Sequence, residues 1–114
     1  MPRQEFVLSG YRGMWLFAMF DLPVTTPKAR RRYAQFRKLL VEQGFSMLQF
    51  SVYARYCASE EMAVAYRNRV RAGLPPEGYV RVLTVTDHQF GKMESYIGEN
   101  DRSVEKPPSQ LALF

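Results

Sequence analysis

Residues 14–21 are Met-Trp-Leu-Phe-Ala-Met-Phe-Asp, and this stretch decides the fold of the chain. An unbroken apolar run of this length, rich in aromatic side chains, is typical of a strand that is buried on both faces. Pro23 follows closely, and proline lacks the backbone N–H that a continuing strand needs. The sequence therefore predicts a central strand that ends at Asp21, so that a carboxylate sits at the end of a rigid element.

A helix is predicted to follow this strand. Thr26 is a suitable N-cap, and Pro27 stands at the first helical position, where its missing N–H matters least. Gly44 is the flexible residue expected just past the helix end. The apolar residues recur at spacings of four, three and four, which places them on one buried face: Ala29, Tyr33, Phe36 and Leu40.

The rest of the chain supplies strands and a second helix. Residues 45–56 have an extended pattern long enough for two strands, with a break near Gln49 or Phe50. Ser59 is the predicted cap of the second helix, which ends by Gly73. The segment 79–86 alternates as a strand does, Asp87 and His88 are expected to form a turn, and residues 92–97 are predicted to add a short edge strand.

Strand, helix, paired strands, helix and strand is the order of a ferredoxin-like βαββαβ fold in the α+β class. We expect one such domain over residues 1–98, with a short extra C-terminal strand, and a linker and docking tail over residues 99–114. Two helices would cover one face of the sheet. The other face would be left free to pack on a second copy, which predicts a homodimer.

Charge and composition narrow the function classes. Residues 1–58 carry nine Lys/Arg against three Asp/Glu, whereas residues 59–114 carry seven against eight. This imbalance favours a polyanionic partner such as nucleic acid. The single cysteine, Cys57, cannot form an internal disulfide and favours a cytoplasmic location. No apolar run is long enough for a membrane span, so no membrane partner is expected.

Asp21 is the residue to which chemistry is most readily assigned. One interpretation is an ordinary aspartate that starts a turn after a strand. The other is a Mg²⁺ ligand and catalytic carboxylate, although Mg²⁺ generally takes one or two carboxylates together with water or substrate phosphate. A two-fold axis near the ends of two central strands would bring Asp21 of both copies together. This hypothesis links metal binding to dimerisation.

Basic residues cluster on the first helix, outside its apolar stripe. They are either a solvated helix face or a track for phosphates, which arginine can bind with both arms of its guanidinium. Together with Arg12 just before the central strand, the candidates for nucleic-acid binding are Lys28, Arg30, Arg31, Arg32, Arg37 and Lys38. Nothing in their pattern indicates sequence-specific recognition.

The chain ends in Gln110-Leu111-Ala112-Leu113-Phe114, which is too apolar for a terminus that contacts nothing. The simplest interpretation is an edge strand added to its own sheet, to a dimer mate or to another protein. The segment is also similar to short ligand motifs of the bacterial sliding clamp. We therefore predict that Gln110, Leu111, Leu113 and Phe114 dock onto a partner surface.

Several of these segments resemble one known family. The run that ends in Asp21, the segment Gln49-Phe50-Ser51-Val52-Tyr53 and the strand over residues 79–86 are together similar to the CRISPR-associated Cas2 family. The resemblance covers residues 13–98, and Asp21 stands where that family has its characteristic first-strand aspartate. The overall pattern, including the tail, is most similar to members that accompany Cas9 in type II systems.

The resemblance implies a ferredoxin-like homodimer that bridges two dimers of the Cas1 integrase and holds duplex DNA destined to become a spacer. Some members are described as metal-dependent nucleases for RNA or DNA, and in that case Asp21 would hold Mg²⁺. The alternatives are a stand-alone or toxin-like ribonuclease of the same fold and a small-molecule-sensing domain. The basic first helix argues against the sensing domain, which needs no track for a polyanion.

Overall fold

A computed structural model describes residues 13–98 of the chain. In chain order its elements are β1 (Met14–Asp21), α1 (Pro27–Glu42), β2 (Ser46–Gln49), β3 (Val52–Cys57), α2 (Glu60–Ala72), β4 (Tyr79–Thr86) and α3 (Asp87–Gly91). Arg12 lies outside the described residues, as does the whole of the predicted linker and docking tail over residues 99–114.

The four strands form one antiparallel sheet in the order β2-β3-β1-β4. β1 is the central strand that its apolar sequence predicted: it pairs with β3 from Met14 opposite Cys57, and with β4 along its whole length as far as Asp21 opposite Tyr79. The α+β class is confirmed, and the topology is consistent with a ferredoxin-like fold.

Both predicted helix starts are confirmed by their caps. The Thr26 hydroxyl accepts a hydrogen bond from the Ala29 N–H at 3.0 Å, with Pro27 directly after the cap. The Ser59 hydroxyl accepts from the Met62 N–H at 3.1 Å. These bonds satisfy backbone donors that have no partner within the helix, which explains why each helix begins where it does.

The two sheet faces differ in what covers them. On one face α1 and α2 pack over the sheet, and Leu16, Ala18 and Phe20 of β1 join Phe36 and Leu40 of α1 in the main core. On the other face a smaller cluster forms around Phe17, Ala54 and Phe90. We call this second side the open face, because neither of the two long helices covers it.

The end of the described chain differs from the sequence prediction. Residues 87–91 form helix α3 instead of a turn, and the strand predicted over residues 92–97 is wrong: residues 93–98 have no regular structure. Thr86 and Gln89 form a reciprocal capping box, which initiates a helix. Phe90 then stacks on Trp15 with ring centroids 3.9 Å apart, so the helix is held against the open face.

The extended segment 45–56 divides as predicted, and the break falls at Phe50 and Ser51. Ser51 has a φ of 63°, which is unusual for a residue other than glycine. Its carbonyl accepts a hydrogen bond from the Phe20 N–H at 3.0 Å. The β2–β3 turn is therefore fastened beside the end of β1. Among residues 13–98, no helix combines the length and the apolar character that crossing a bilayer requires.

Candidate nucleic-acid interface

Asp21 is exposed at the carboxyl end of β1, as the sequence predicted. Because side chains alternate along a strand, it belongs to the same side of the sheet as Phe17 and Met19, which is the open face. Its carboxylate makes no hydrogen bond or ion pair with another of residues 13–98. The carboxylate is therefore available to a ligand or to a second chain.

Gly78 fixes the backbone around Asp21. Its φ is +93°, and a Cβ at this position would lie 2.7 Å from the Asp21 carbonyl oxygen and 2.7 Å from the Leu22 Cδ2 atom. Only glycine tolerates both this φ and such a close approach. The start of β4 is thereby pressed against the end of β1, which holds the Asp21 backbone in place.

A metal ion at Asp21 would take its further ligands from water, from a substrate phosphate or from a second chain. Within residues 13–98, no group of three or more histidine, cysteine or acidic side chains is arranged to hold a metal ion. Asp21 supplies a hard oxygen donor of the kind that Mg²⁺ prefers, but it is a single carboxylate. The residues fit Mg²⁺ if a second Asp21, water and a substrate phosphate complete the coordination.

The basic residues of α1 divide among three sides of the helix. At 100° per residue, Arg31 and Lys38 share the side turned to solvent, Arg30 and Arg37 share one flank, and Lys28 and Arg32 share the other. All are exposed except Arg32, which is half-buried. The six residues are therefore not one track, and the solvent-facing pair is the best placed to meet a large polyanion.

Hydrogen bonds hold two of these guanidinium groups. Arg30 Nη1 donates to the Val24 carbonyl at 3.0 Å, and Arg37 Nε donates to the Tyr53 hydroxyl at 2.9 Å. Within residues 13–98, no basic side chain of α1 forms an ion pair with a carboxylate. Their positive charge is therefore not neutralised by the described part of the chain.

Arg55 is a half-buried cation that the sequence did not single out. Its Cζ atom lies 3.8 Å from the centroid of the Tyr66 ring, and Arg69 approaches the same ring at 4.6 Å. The Arg55 hydrogen bond holds the pKa of the Tyr66 hydroxyl below its ordinary value. The alternation that places Tyr53 and Cys57 under the helices also places Arg55 there, so the position was detectable from sequence.

Cys57 is fully buried, as expected for an unreactive thiol at the end of a strand. Burial raises the pKa of this thiol, and the positive charge of Arg55 lowers it to a smaller extent. Because the thiolate is the nucleophilic form, a raised pKa disfavours chemistry at this residue.

Comparison with known proteins decides the family. Residues 14–93, from the first residue of β1 to just past α3, match the family described as CRISPR associated protein Cas2. The chain belongs to the Cas2 family. The resemblance inferred from the sequence is thus confirmed at the family level, while the association with Cas9 remains a prediction.

Similar Cas2 proteins cover nearly the whole chain. A protein of Parvibaculum lavamentivorans named CRISPR-associated endoribonuclease Cas2 is 54% identical over 101 residues, covering 89% of this chain and 100% of that relative. A protein of the same name from Flavobacterium psychrophilum is 46% identical over 107 residues, covering 94% and 93%. One from Paracidovorax avenae is 40% identical over 108 residues, covering 95% and 100%.

Proposed function

We propose that this Cas2 chain acts in CRISPR adaptation, in a type II system, as a homodimer that bridges two dimers of the Cas1 integrase and holds duplex DNA for insertion as a new spacer. Family membership supports the CRISPR role. The observation that carries the DNA-binding part is the positive charge of α1, which no carboxylate of the described residues neutralises. The free thiol of Cys57 suits a reducing cytoplasm.

Duplex DNA fits this surface because phosphates are regularly spaced and bind cations without regard to base sequence. The side chains of Arg31 and Lys38 are exposed and have no hydrogen-bond partner among residues 13–98. They stand seven positions apart, or about 10 Å along the helix axis. A homodimer would present two such pairs, which favours an extended ligand over a small molecule.

The open face supports the homodimer. It contains an apolar groove of about 310 Å³ lined in part by Phe17, Met19, Leu83 and Met93. Leu83 at this groove is 49% exposed, although a leucine on a sheet face is normally covered. Because Asp21 belongs to the same face, sheet-to-sheet packing would bring the carboxylates of both copies toward one interface.

Salt-dependent binding of duplex DNA tests the proposed surface. Replacing Arg31 and Lys38 together by alanine should weaken duplex binding. It should also make the negative slope of log K against log salt shallower by about 0.9 for each lost phosphate contact. Fluorescence anisotropy over a salt series measures both quantities. A matched control replaces Arg67 and Arg71, two exposed arginines of α2, and should leave the slope unchanged. Equal slopes for the α1 variant and wild type would refute this surface.

Bridging is tested separately by assembly with Cas1. A homodimer that bridges should give particles with two Cas1 dimers for each Cas2 dimer in light scattering after size exclusion. Leu83→Glu places a charge in the apolar groove and should reduce both the dimer and the bridged assembly. A Leu83→Glu chain that stays dimeric and still gives bridged particles of unchanged mass would show that the open face is not the dimer interface.

The second candidate function is metal-dependent cleavage of RNA. The name of the relatives, CRISPR-associated endoribonuclease Cas2, favours cleavage of RNA. Asp21 is the residue that would hold Mg²⁺, which when bound stabilises the negative charge that develops on a phosphoryl group. Asp21→Asn should abolish Mg²⁺-dependent RNA cleavage, whereas Glu42→Gln, an exposed carboxylate on α1, should not. If Asp21→Asn loses cleavage while Cas1-dependent insertion persists, the two functions are separate. Undiminished cleavage by Asp21→Asn would exclude Asp21 as the metal ligand for this reaction.

A further inference from the structure

Phe50 is an exposed aromatic side chain at the tip of the β2–β3 turn. It is 78% exposed, although the ring has the size of a core residue. Its ring lies stacked on Tyr33 of α1, with centroids 6.2 Å apart and an angle of 23° between the planes. One ring face is therefore turned toward Tyr33, and the opposite face is open to solvent.

The support beneath Phe50 is rigid. The Tyr33 hydroxyl lies 3.2 Å from the Ser51 hydroxyl, and the Tyr33 ring packs edge-on against Phe20 with centroids 5.7 Å apart. Ser51 is itself tied to Phe20 through the backbone. A ring held in this way loses little conformational entropy when a flat ligand stacks on it, so it is suited to binding.

Positive charge stands on both sides of the stack. Arg30 and Arg37 lie beside Tyr33 on α1, three positions before it and four positions after it, because Tyr33 stands at the edge of the buried stripe that borders their flank. At 1.5 Å per residue they are about 5–6 Å from Tyr33 along the helix axis. The hydrogen bonds of Arg30 to Val24 and of Arg37 to Tyr53 fix both side chains without neutralising them. An anionic group attached to the flat ligand would meet either guanidinium.

We propose that Phe50 is a stacking platform for an unpaired nucleotide of a single-stranded nucleic acid, with Arg30 or Arg37 binding the adjacent phosphate. A flat, neutral ring joined to an anion is the chemistry of a nucleotide, and stacking on an aromatic ring with phosphate on arginine is how single strands are commonly held. The site rests on the proposed nucleic-acid function but adds a second class of ligand beside duplex DNA.

The position of the platform connects it to Asp21. The Phe20 N–H bonds the Ser51 carbonyl at 3.0 Å, so the turn that carries Phe50 lies next to the strand end that carries Asp21. The Phe50 ring stacks on the helix side of the sheet, away from the open face, and a dimer formed through the open face would leave it accessible. The platform therefore stands at the same end of β1 as Asp21, but on the opposite side of the sheet from the Asp21 carboxylate.

The test compares Phe50 variants on matched probes. Fluorescence anisotropy with a short single-stranded oligoadenylate, as RNA and as DNA, should show Phe50→Ala weakening binding by about 5- to 150-fold. Phe50→Trp should retain binding because it keeps an aromatic face, and Phe50→Leu should lose it. Met47→Ala removes a neighbouring apolar side chain that is 49% exposed and should have no effect.

Two further measurements make the result decisive. A fully abasic oligonucleotide should bind the wild-type chain weakly, because stacking needs the base. Its affinity should be the same for the Phe50→Ala variant. Duplex binding should be unchanged in the Phe50 variants, so a failure here is distinguishable from a failure of the Arg31 and Lys38 test. Unchanged single-strand binding by Phe50→Ala, or full binding by Phe50→Leu, would overturn the proposal. Loss of Cas1 assembly alone would identify Phe50 as a protein-docking residue instead.

Discussion

Substituting Gly78 by alanine probes the backbone contact that holds the end of β1. The added Cβ would lie 2.7 Å from the Asp21 carbonyl oxygen and 3.0 Å from the Leu22 Cα atom. Ordinary carbon contacts begin near 3.4 Å, so both neighbours would have to move by several tenths of an ångström. Because these atoms belong to the backbone at the end of the central strand and just past it, they cannot rotate away as a flexible side chain would.

The magnitude has three contributions. A positive φ disfavours a residue with a Cβ by about 1–2 kcal/mol. The overlap of the added Cβ with its neighbours costs about 1–3 kcal/mol, as overpacking does. The reduced entropy of the unfolded chain offsets about 0.4–1 kcal/mol of this. We therefore expect Gly78→Ala to lower the free energy of unfolding by about 2–4 kcal/mol, which for a domain of this size is about 10–25 °C in Tm.

Urea and thermal unfolding, followed by circular dichroism and by the fluorescence of the single tryptophan, measure this loss. Gly91→Ala is the matched control, since a Cβ there meets nothing within 4 Å and should change the free energy of unfolding by less than about 1 kcal/mol. A Gly78→Ala variant within about 0.5 kcal/mol of wild type would refute the reasoning, because neither the positive φ nor the overlap would then exist in solution.

Two other perturbations have defined outcomes. Removing the Phe90 ring that stacks on Trp15 should cost about 3 kcal/mol and shift the tryptophan emission, and an unchanged emission would contradict the stack. The pKa of the Cys57 thiol is raised from its ordinary value of 9.0. The folded chain therefore holds the thiol proton more tightly than the unfolded chain does. The contribution of this proton to the free energy of unfolding is present below about pH 9 and is lost as the pH rises above it. The difference in unfolding free energy between wild type and Cys57→Ala should accordingly change as the pH rises through that range, and a pH-independent difference would show that burial does not perturb the thiol.

Much of the fold could be predicted because local signals and tertiary packing agree. The apolar run of β1 is central in the sheet, and the caps at Thr26 and Ser59 start the two long helices. Helix α3 was missed, although Thr86 and Gln89 stand at the spacing of a capping box. That signal competes with the turn-forming residues between them, and the decisive contact of Phe90 with Trp15 is tertiary and has no local signature.

The candidate site was predicted in part. The place of Asp21 at the end of β1 follows from where the apolar run stops. The division of the basic residues around α1 also follows from helical geometry, but the bonds that fix Arg30 and Arg37 depend on partners elsewhere in the chain. The sequence placed Phe50 near a strand break but did not predict that its ring would be exposed. The chain turns there through the positive φ of Ser51, and a serine does not signal a positive φ as a glycine would. The roles expected for Arg12 and for the C-terminal tail remain predictions.

The sheet order has a consequence for synthesis on the ribosome. β1 is completed early, yet Met14 pairs with Thr86 near the end of β4, about 70 residues later. At about 5–20 residues per second, the β4-facing edge of β1 waits roughly 4–14 s for its partner, even after β3 has closed the other edge. During that interval the most apolar segment of the nascent chain exposes unpaired backbone, and it is open to capture by chaperones or by the same strand of a neighbouring nascent chain.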